Sequence, residues 1–549
     1  MKKNLLALFL LFTFVFQSSA LAQTATREKS AARNAAETIT AAQLKDYLYF
    51  VASDEMEGRD TPSRGLDLTA KFMATMLSRW GFKPAGDDGT FFQKMALVRN
   101  QVDPARAVVD INGQKLVYGT DFLADANSGA VNAPLVFAGN GWFIKSKNID
   151  PLKDTDARGK VVVVYSDNFP RGIKNFRELS AAGKLGEDWA DPQTYAKQKG
   201  AAGLIIVSTP NLQAGWENLR SFRENGRLGV EKFNEPTGGA NIPTIYITEK
   251  TAETLFSGEP IPFATVTANY TLNAPLNTFE FNSAKKLNLS VTAKKEVTMT
   301  QNVVALWEGS DPQLKAEMVA VGAHYDHEGI WLNAKGEDKI WNGADDDGSG
   351  TVAVLAIAEA LAKSSKKPKR SILLVWHAGE EKGLWGSEYF NKFPTVNIKN
   401  VVAQLNIDMI GRSKKAGDAN PKNEYLSGES EVYVIGSQMM STKLGEVTRS
   451  VNDSFLKLNY NYKYDDPKDT NRFFFRSDHF NYAASGIPIV FWFDGVHEDY
   501  HQASDHADKI DYQKMEKITR TIFLTMWEIA DLKVRPRVDK QLPPELTRR

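Results

Sequence analysis

The stretch SILLVWHAGEE, residues 371–381, carries the reading of the fold. Ser371 to Trp376 is a short continuous apolar run, the pattern of a strand buried on both faces. The run gives way at Gly379 to two adjacent carboxylates, Glu380 and Glu381. Working outward, the same kind of run recurs at Met318 to Gly322, Val401 to Ile407, Glu431 to Ile435 and Ile487 to Trp492. Ser349 to Lys363, between the first two, is an apolar-faced helix. The alternation predicts an α/β fold with a mostly parallel sheet sandwiched by helices. In such a sheet ligands gather outside the carboxyl ends of the strands.

Metal-ligand chemistry sits at those ends. His324 follows the first strand, Glu380 and Glu381 the second and Asp408 the third, while Asn342 to Gly350 forms an acidic loop opening the helix. All 7 histidines fall between His324 and His506, so imidazole is confined to the region that supplies these carboxylates. Cysteine is absent, which excludes thiolate metal sites, disulfides and a cysteine nucleophile. Histidine with aspartate and glutamate suits catalytic zinc, and there are ligands enough for two ions sharing a bridging carboxylate. No H-E-x-x-H helix and no G-x-S-x-G elbow occurs, which removes the thermolysin-like and serine-hydrolase alternatives. Chemistry alone does not choose among Asp345, Asp346 and Asp347. Asp326, two residues after His324, is expected to hydrogen-bond that imidazole, as metal-bound histidines normally require. His327, His377, His497 and His506 are read as non-ligands, and His479 as structural or pocket-lining.

The blocks GAHYDH (322–327), GADDDGSG (343–350), EEKGLWGS (380–387), NIDM (406–409) and SDH (477–479) resemble the di-zinc aminopeptidase family, with ASDEMEGR (52–59) and KPAG (83–86) similar to its opening helices. This family includes bacterial leucyl aminopeptidases, aminopeptidase Y and glutamate carboxypeptidase-like zinc peptidases. The resemblance implies the zinc exopeptidase fold and two Zn2+ per chain. It implies His324 and Asp408 on one ion, Glu381 and His501 on the other, and Asp346 bridging both. Glu380 matches the general base, and Tyr500 stands where a donor to the developing oxyanion is expected. The implied reaction is hydrolysis of a peptide or aminoacyl-amide bond at a chain terminus by a hydroxide shared between the zincs. Aminopeptidase action comes first. Carboxypeptidase or dipeptidase action on the same metal core, a receptor-like binding protein and a glutaminyl cyclase-like transferase are the alternatives.

The rest of the chain frames this centre. Lys2, Lys3, the apolar run Leu5 to Phe16 and Ala20-Leu21-Ala22 have the order of a secretory signal peptide, so residues 1–22 are expected to be removed on export to the periplasm or beyond. The apolar run is too short to span a bilayer, which takes about 20 residues. Residues 23–126 are read as the N-terminal part of the peptidase domain, with helices at Ala41 to Ala52 and Leu66 to Trp80 and strands at Phe91 to Val98 and Ala107 to Val117. Residues 127–285 resemble an inserted protease-associated domain, a smaller α/β or β-rich unit with strands at Pro134 to Ala138, Lys160 to Tyr165, Ala201 to Val207 and Ile242 to Ile247. Residues 286–534 form the catalytic domain, and 535–549 a basic tail expected to be exposed. Lysine plus arginine balance aspartate plus glutamate at 67 each, which gives no electrostatic reason to expect nucleic acid or an anionic membrane as partner.

Overall fold

A computed structural model describes residues 31–542 apart from 127–128, 167–168, 171, 234–240, 273 and 275. The expected signal segment 1–22 lies outside the described residues, as do 543–549. No helix among those described is long and apolar enough to cross a membrane. The chain divides into two compact units, one of residues 1–95 with 299–549 and one of residues 96–298.

The first unit is built on a twisted sheet. Its helices α1 (Ala41–Val51) and α2 (Arg64–Arg79) come before the strand Phe92–Val102, whose partner in the sheet is β1 (Ala293–Trp307). There follow β2 (Met318–His324), α3 (Gly350–Lys363), β3 (Ser371–His377), α4 (Trp385–Lys392), β4 (Val401–Ile407) and β5 (Glu431–Ile435). The unit closes with α5 (Thr442–Ser454), β6 (Asn459–Asn461), α6 (His479–Ala484), β7 (Ile489–Phe493) and α7 (Tyr512–Asp531). From β1 across, the strand order is β1-β3-β2-β4-β7-β5-β6. The centre, β3-β2-β4-β7, is parallel, whereas β1 runs antiparallel to β3 and β5 antiparallel to β7.

Burial explains why the sequence reads as continuous apolar runs. Every residue of β2, β3, β4 and β7 is buried, and alternate side chains enter two different cores. Val319, Val321, Ile372, Leu374 and Trp376 face the layer that holds α1, α3 and α7, while Ala320, Leu373 and Val375 face the layer of α4 and α6. Helix α3 is apolar nearly all round because it is sunk in the first core. Helix α1 opens with a capping box, the Thr40 hydroxyl accepting from Gln43 N at 3.2 Å and Gln43 Oε1 from Thr40 N at 3.3 Å.

The second unit carries its own core and a sheet running, in order, through 114–116, 108–111, 286–291, 129–137, 161–166, 203–208, 244–247 and 122–124. It begins earlier and ends later than the sequence-based insert of 127–285, and hydrogen bonding gives the reason. Lys286–Val291 pairs with Gly129–Phe137 on one side and with Val108–Ile111 on the other, so chain from both flanks is woven into the insert's sheet. The single strand expected at Ala107 to Val117 is a hairpin, Val108–Ile111 and Gln114–Leu116, turned at Asn112-Gly113 with φ of 55° and 83°. Asn-Gly is the strongest short hairpin signal, and the sequence reading passed over it. Between the last two of the expected strands stands the helix Trp216–Asn225, which buries only Trp216 and so shows little apolar stripe in the sequence.

The described part of the tail is tied down. Arg535 donates to Lys399 O at 3.1 Å and Val401 O at 3.0 Å, and Asp539 accepts from Thr442 N at 2.8 Å.

A buried ion pair locks α7 against the strand β7 edge. Lys514 Nζ lies 2.8 Å from Asp494 Oδ1 and donates to Arg412 O and Ser427 Oγ, both at 2.9 Å. Lys514→Met leaves a buried carboxylate unpaired and is expected to lower the unfolding free energy by about 3–5 kcal/mol. The double variant Lys514→Met, Asp494→Leu is expected to recover most of that loss in the same denaturant titration.

Candidate metal centre

The parallel strands β2, β3, β4 and β7 deliver their carboxyl ends to one edge of the sheet. His324 is the last residue of β2, Glu380 and Glu381 lie three and four residues past β3, and Asp408 directly follows β4. The loop after β7 brings back Tyr500 and His501, and the loop between β2 and α3 supplies the aspartates. Gly343 begins that loop at φ 58°, where a Cβ would stand 2.2 Å from Asp346 O and 2.5 Å from the His327 ring. Only glycine allows so close a pass.

The structure separates the three consecutive aspartates by what their side chains touch. Asp347 accepts three backbone N–H groups: Gly350 at 2.9 Å and Met409 at 3.2 Å on Oδ1, and His324 at 3.2 Å on Oδ2. Asp345 accepts from Gly411 N at 2.7 Å, and its other oxygen faces His497 Nε2 at 3.1 Å. The Asp346 carboxylate instead lies between two imidazoles, Oδ1 3.2 Å from His324 Nε2 and Oδ2 3.0 Å from His501 Nε2. Around it, His324 Nε2 is 3.8 Å from Asp408 Oδ2 and 3.9 Å from Glu380 Oε2, and His501 Nε2 is 3.1 Å from Glu381 Oε2. All seven residues named from sequence as ligands or catalytic groups thus meet at this edge.

The donors fit a divalent cation. His324, Asp346 and Asp408 can offer one atom each within 4.8 Å of one another, as can His327, Asp346 and Glu381, and Glu328, Glu381 and His501. Asp346 Oδ2 and Glu381 Oε1 are buried and accept no hydrogen bond, although ring nitrogens stand 3.0 and 2.8 Å away. Carboxylate and imidazole edges this close, yet not aligned on each other, are aimed at common points between them. Nitrogen and oxygen donors without sulfur are the set that suits zinc.

Proton affinities follow the same geometry. Burial and Asp346 push Glu381 upward, but His327 and His501 outweigh them and hold it at about 2. Burial raises Glu380 well above the ordinary carboxylate range, with Glu381, Asp408 and Asp478 adding to the effect against His324. Burial opposes charge on His501, yet Asp346 and Glu381 lift it to about 10. The Tyr500 phenol is driven far above its ordinary value by burial and then by Asp346 and Glu381, so it stays a protonated donor. Its oxygen accepts from the Arg476 guanidinium at 3.4 Å.

Several supports were not read from sequence. The Asp326 carboxylate, expected on the His324 ring, lies 3.6 Å from Nδ1, and the nearer partner at 3.1 Å is the Asp326 backbone carbonyl. The carboxylate accepts instead from Glu380 N at 3.2 Å, because the chain turns after β2 and presents its carbonyl to the ring. Asp408 is oriented by Ser477 Oγ, which donates at 2.5 Å and itself accepts from Asn406 at 2.9 Å. His327, read as a non-ligand, has Nδ1 2.8 Å from Glu381 Oε1; its spacing of three from His324 on a strand-end turn was the available signal. His377, His497 and His506 face Tyr482, Asp345 and Asp338 respectively. His479 is structural, its ring stacked on Phe491 with centroids 4.4 Å apart and Nε2 on Phe474 O.

Asp347→Ala strands three buried N–H groups and is expected to lower the unfolding free energy by about 3 kcal/mol or more, at roughly 1–3 kcal/mol per lost acceptor. Asp346→Asn removes no backbone acceptor and is expected to cost distinctly less. Denaturant unfolding of the chelator-treated variants checks the order.

Residues 302–526 match the peptidase family M28 and residues 115–255 the PA domain. A probable leucine aminopeptidase of Trichophyton verrucosum is 28% identical over 40% of this chain and 56% of its own length. An aminopeptidase of Pseudomonas aeruginosa is 29% identical over 48% of this chain and 43% of its own. The chain therefore spans little more than half of the first of these relatives and less than half of the second. The solved aminopeptidase from Aneurinibacillus sp. strain AM-1 aligns over 93% of this chain and 97% of its own, at 16% identity and a TM-score of 0.46. The match to peptidase family M28 thus falls within the first unit, and the match to the PA domain within the second.

Proposed function

We propose that this protein is an exported di-zinc exopeptidase that removes residues from the amino ends of peptides. The observation that carries the reading is the Asp346 carboxylate set between His324 and His501, at 3.2 and 3.0 Å, inside the segment that matches peptidase family M28. Two zinc ions would be held by His324, Asp346 and Asp408 on one side and by Asp346, Glu381 and His501 on the other. When bound, the two zinc ions would polarise the scissile carbonyl and acidify the attacking water.

The side chains of the chain do the rest. Glu380 takes a proton from the water that adds to the carbonyl carbon, then delivers it to the amine nitrogen as the carbon–nitrogen bond breaks. Its buried, acid-rich surroundings suit a carboxyl that must hold that proton between the two transfers. Tyr500 donates its hydroxyl proton in a hydrogen bond to the carbonyl oxygen as charge develops there. Met409, Phe491, Phe493 and Val496 line the same cavity and keep it apolar away from the reacting groups. Export rests on the first 22 residues alone. Names borne by the relatives, leucine aminopeptidase and aminopeptidase, support action at a free amino end.

Metal analysis of the purified chain is expected to give about two zinc ions per molecule, the number a shared carboxylate serves. A single ion would remove the bridging role of Asp346 and favour the cyclase-like alternative. Glu380→Gln is expected to keep its zinc and lose about 10²–10⁴-fold in kcat on aminoacyl anilides. Full activity in that variant sinks the mechanism, and cleavage of N-blocked peptides alone sinks the aminopeptidase assignment while sparing the metal centre.

A further inference from the structure

Arg476 follows the turn Phe473–Phe475, and its side chain lines the same cavity as His324, Asp346, Glu380 and Asp408. Its guanidinium donates to the Tyr500 hydroxyl at 3.4 Å and lies over the Phe473 ring, 5.1 Å from the centroid. No carboxylate among the described residues pairs with it, whereas Arg412 and Arg370 in the same unit are paired with Asp499 at 2.8 Å and Glu317 at 2.7 Å. Every other ionisable group on the cavity wall belongs to the reaction centre: His324, Asp346, Glu380, Asp408, Tyr500 and His501. Arg476 is thus the cation of this wall that lies outside the reaction centre, and Met409, Phe473, Phe491, Phe493 and Val496 are its apolar neighbours there.

We infer that the substrate of this centre carries a carboxylate close to the scissile amide, held by the Arg476 guanidinium. A planar guanidinium matches a carboxylate with two parallel hydrogen bonds, and its weaker hydration than an ammonium suits a partly apolar rim. This rests on the exopeptidase reading above. The carboxylate has two sources of the same chemistry: the side chain of an amino-terminal glutamate or aspartate, or the terminal carboxylate of a dipeptide. Both lie within one residue of the bond to be cut. Arg476 is a specificity residue here, and the bond-breaking steps stay with Glu380 and Tyr500.

The zinc-loaded full chain is assayed on two matched pairs, glutamyl against glutaminyl anilide and Leu-Leu against Leu-Leu amide, with leucyl anilide as a neutral control. In parallel, calorimetry measures binding of free glutamate against glutamine and of leucine against leucinamide. The carboxylate-bearing member of at least one pair is expected to be favoured about 10-fold or more in kcat/KM or affinity, the factor a hydrogen bond to a charged group provides. Which pair shows it identifies the source. Arg476→Met is expected to level that pair, mainly through KM, and Arg476→Lys to restore part of the preference. Equal handling of both pairs overturns the inference, as does a preference that survives in Arg476→Met. Hydrolysis of leucyl anilide with no carboxylate preference leaves the exopeptidase reading standing and removes this one. If no anilide or dipeptide is cut, the exopeptidase reading fails, and the binding pairs still decide whether Arg476 holds a carboxylate.

Discussion

The Asp347 carboxylate accepts backbone hydrogen from His324, Gly350 and Met409, and so joins three chain segments of the first unit at the sheet edge. Those segments bear the groups that must come together: His324 itself, the loop with Asp346 and the strand end with Asp408. Like charges resist that convergence, since two carboxylates about 4 Å apart repel by about 4 kcal/mol even at an effective dielectric of 20. The edge must therefore be held by groups other than the site residues. Asp345 on Gly411 N, and Asp505 on the Asp345 and Asp346 N–H groups, continue the same work. The carboxylates beside Asp346 in sequence spend their lone pairs on the backbone so that Asp346 can spend its own on the centre.

A second restraint reaches the loop from the other end of the unit. Arg59 is wholly buried and donates to the carbonyls of Val51, Tyr325, Asn342 and Gly343, at 2.9, 2.9, 2.6 and 2.9 Å. Burial lowers its pKa to about 10, and the charges of Asp326, Asp347, Asp505 and Asp346 hold it from falling further. Its cation thus offsets part of the surplus of buried acid while its fork fixes the turn that leads into Asp346. Gly58 makes the approach feasible, because a Cβ there would stand 2.5 Å from Trp341 O. Residues 31–95 belong to the first unit, where Leu44, Leu48, Leu66 and Met73 also enter the core shared with α3 and α7.

Much of this was legible from residue order. The strands β2, β3, β4 and β7 are buried on both faces, so they read as unbroken apolar runs, and parallel order then places their following residues on one edge. The sites that were missed depend on contacts that sequence spacing does not encode. Asp345, Asp346 and Asp347 are identical in type and adjacent, and only the backbone N–H groups that meet two of them in space set the third apart. Asp326 was expected to act through its carboxylate, and the turn after β2 puts its carbonyl there instead. The Asn112-Gly113 turn and the two flanks woven into the second sheet were open to local reading in the first case and required long-range pairing in the second.

Glu380 and Glu381 then present one problem twice, two adjacent carboxylates with opposite proton affinities. Glu381 lies against His327 at 2.8 Å and His501 at 3.1 Å, and the two imidazoles hold it at about 2 despite burial. Glu380 has one imidazole at 3.9 Å and is ringed by Glu381, Asp408 and Asp478, so burial prevails and its affinity for a proton climbs. A ligand must be deprotonated to bind a cation, whereas a proton carrier must be able to accept one. Environments that push two neighbouring groups apart in this way are how one site obtains both roles. The proposed roles of Glu381 as ligand and Glu380 as base therefore have a physical footing in the histidines beside them.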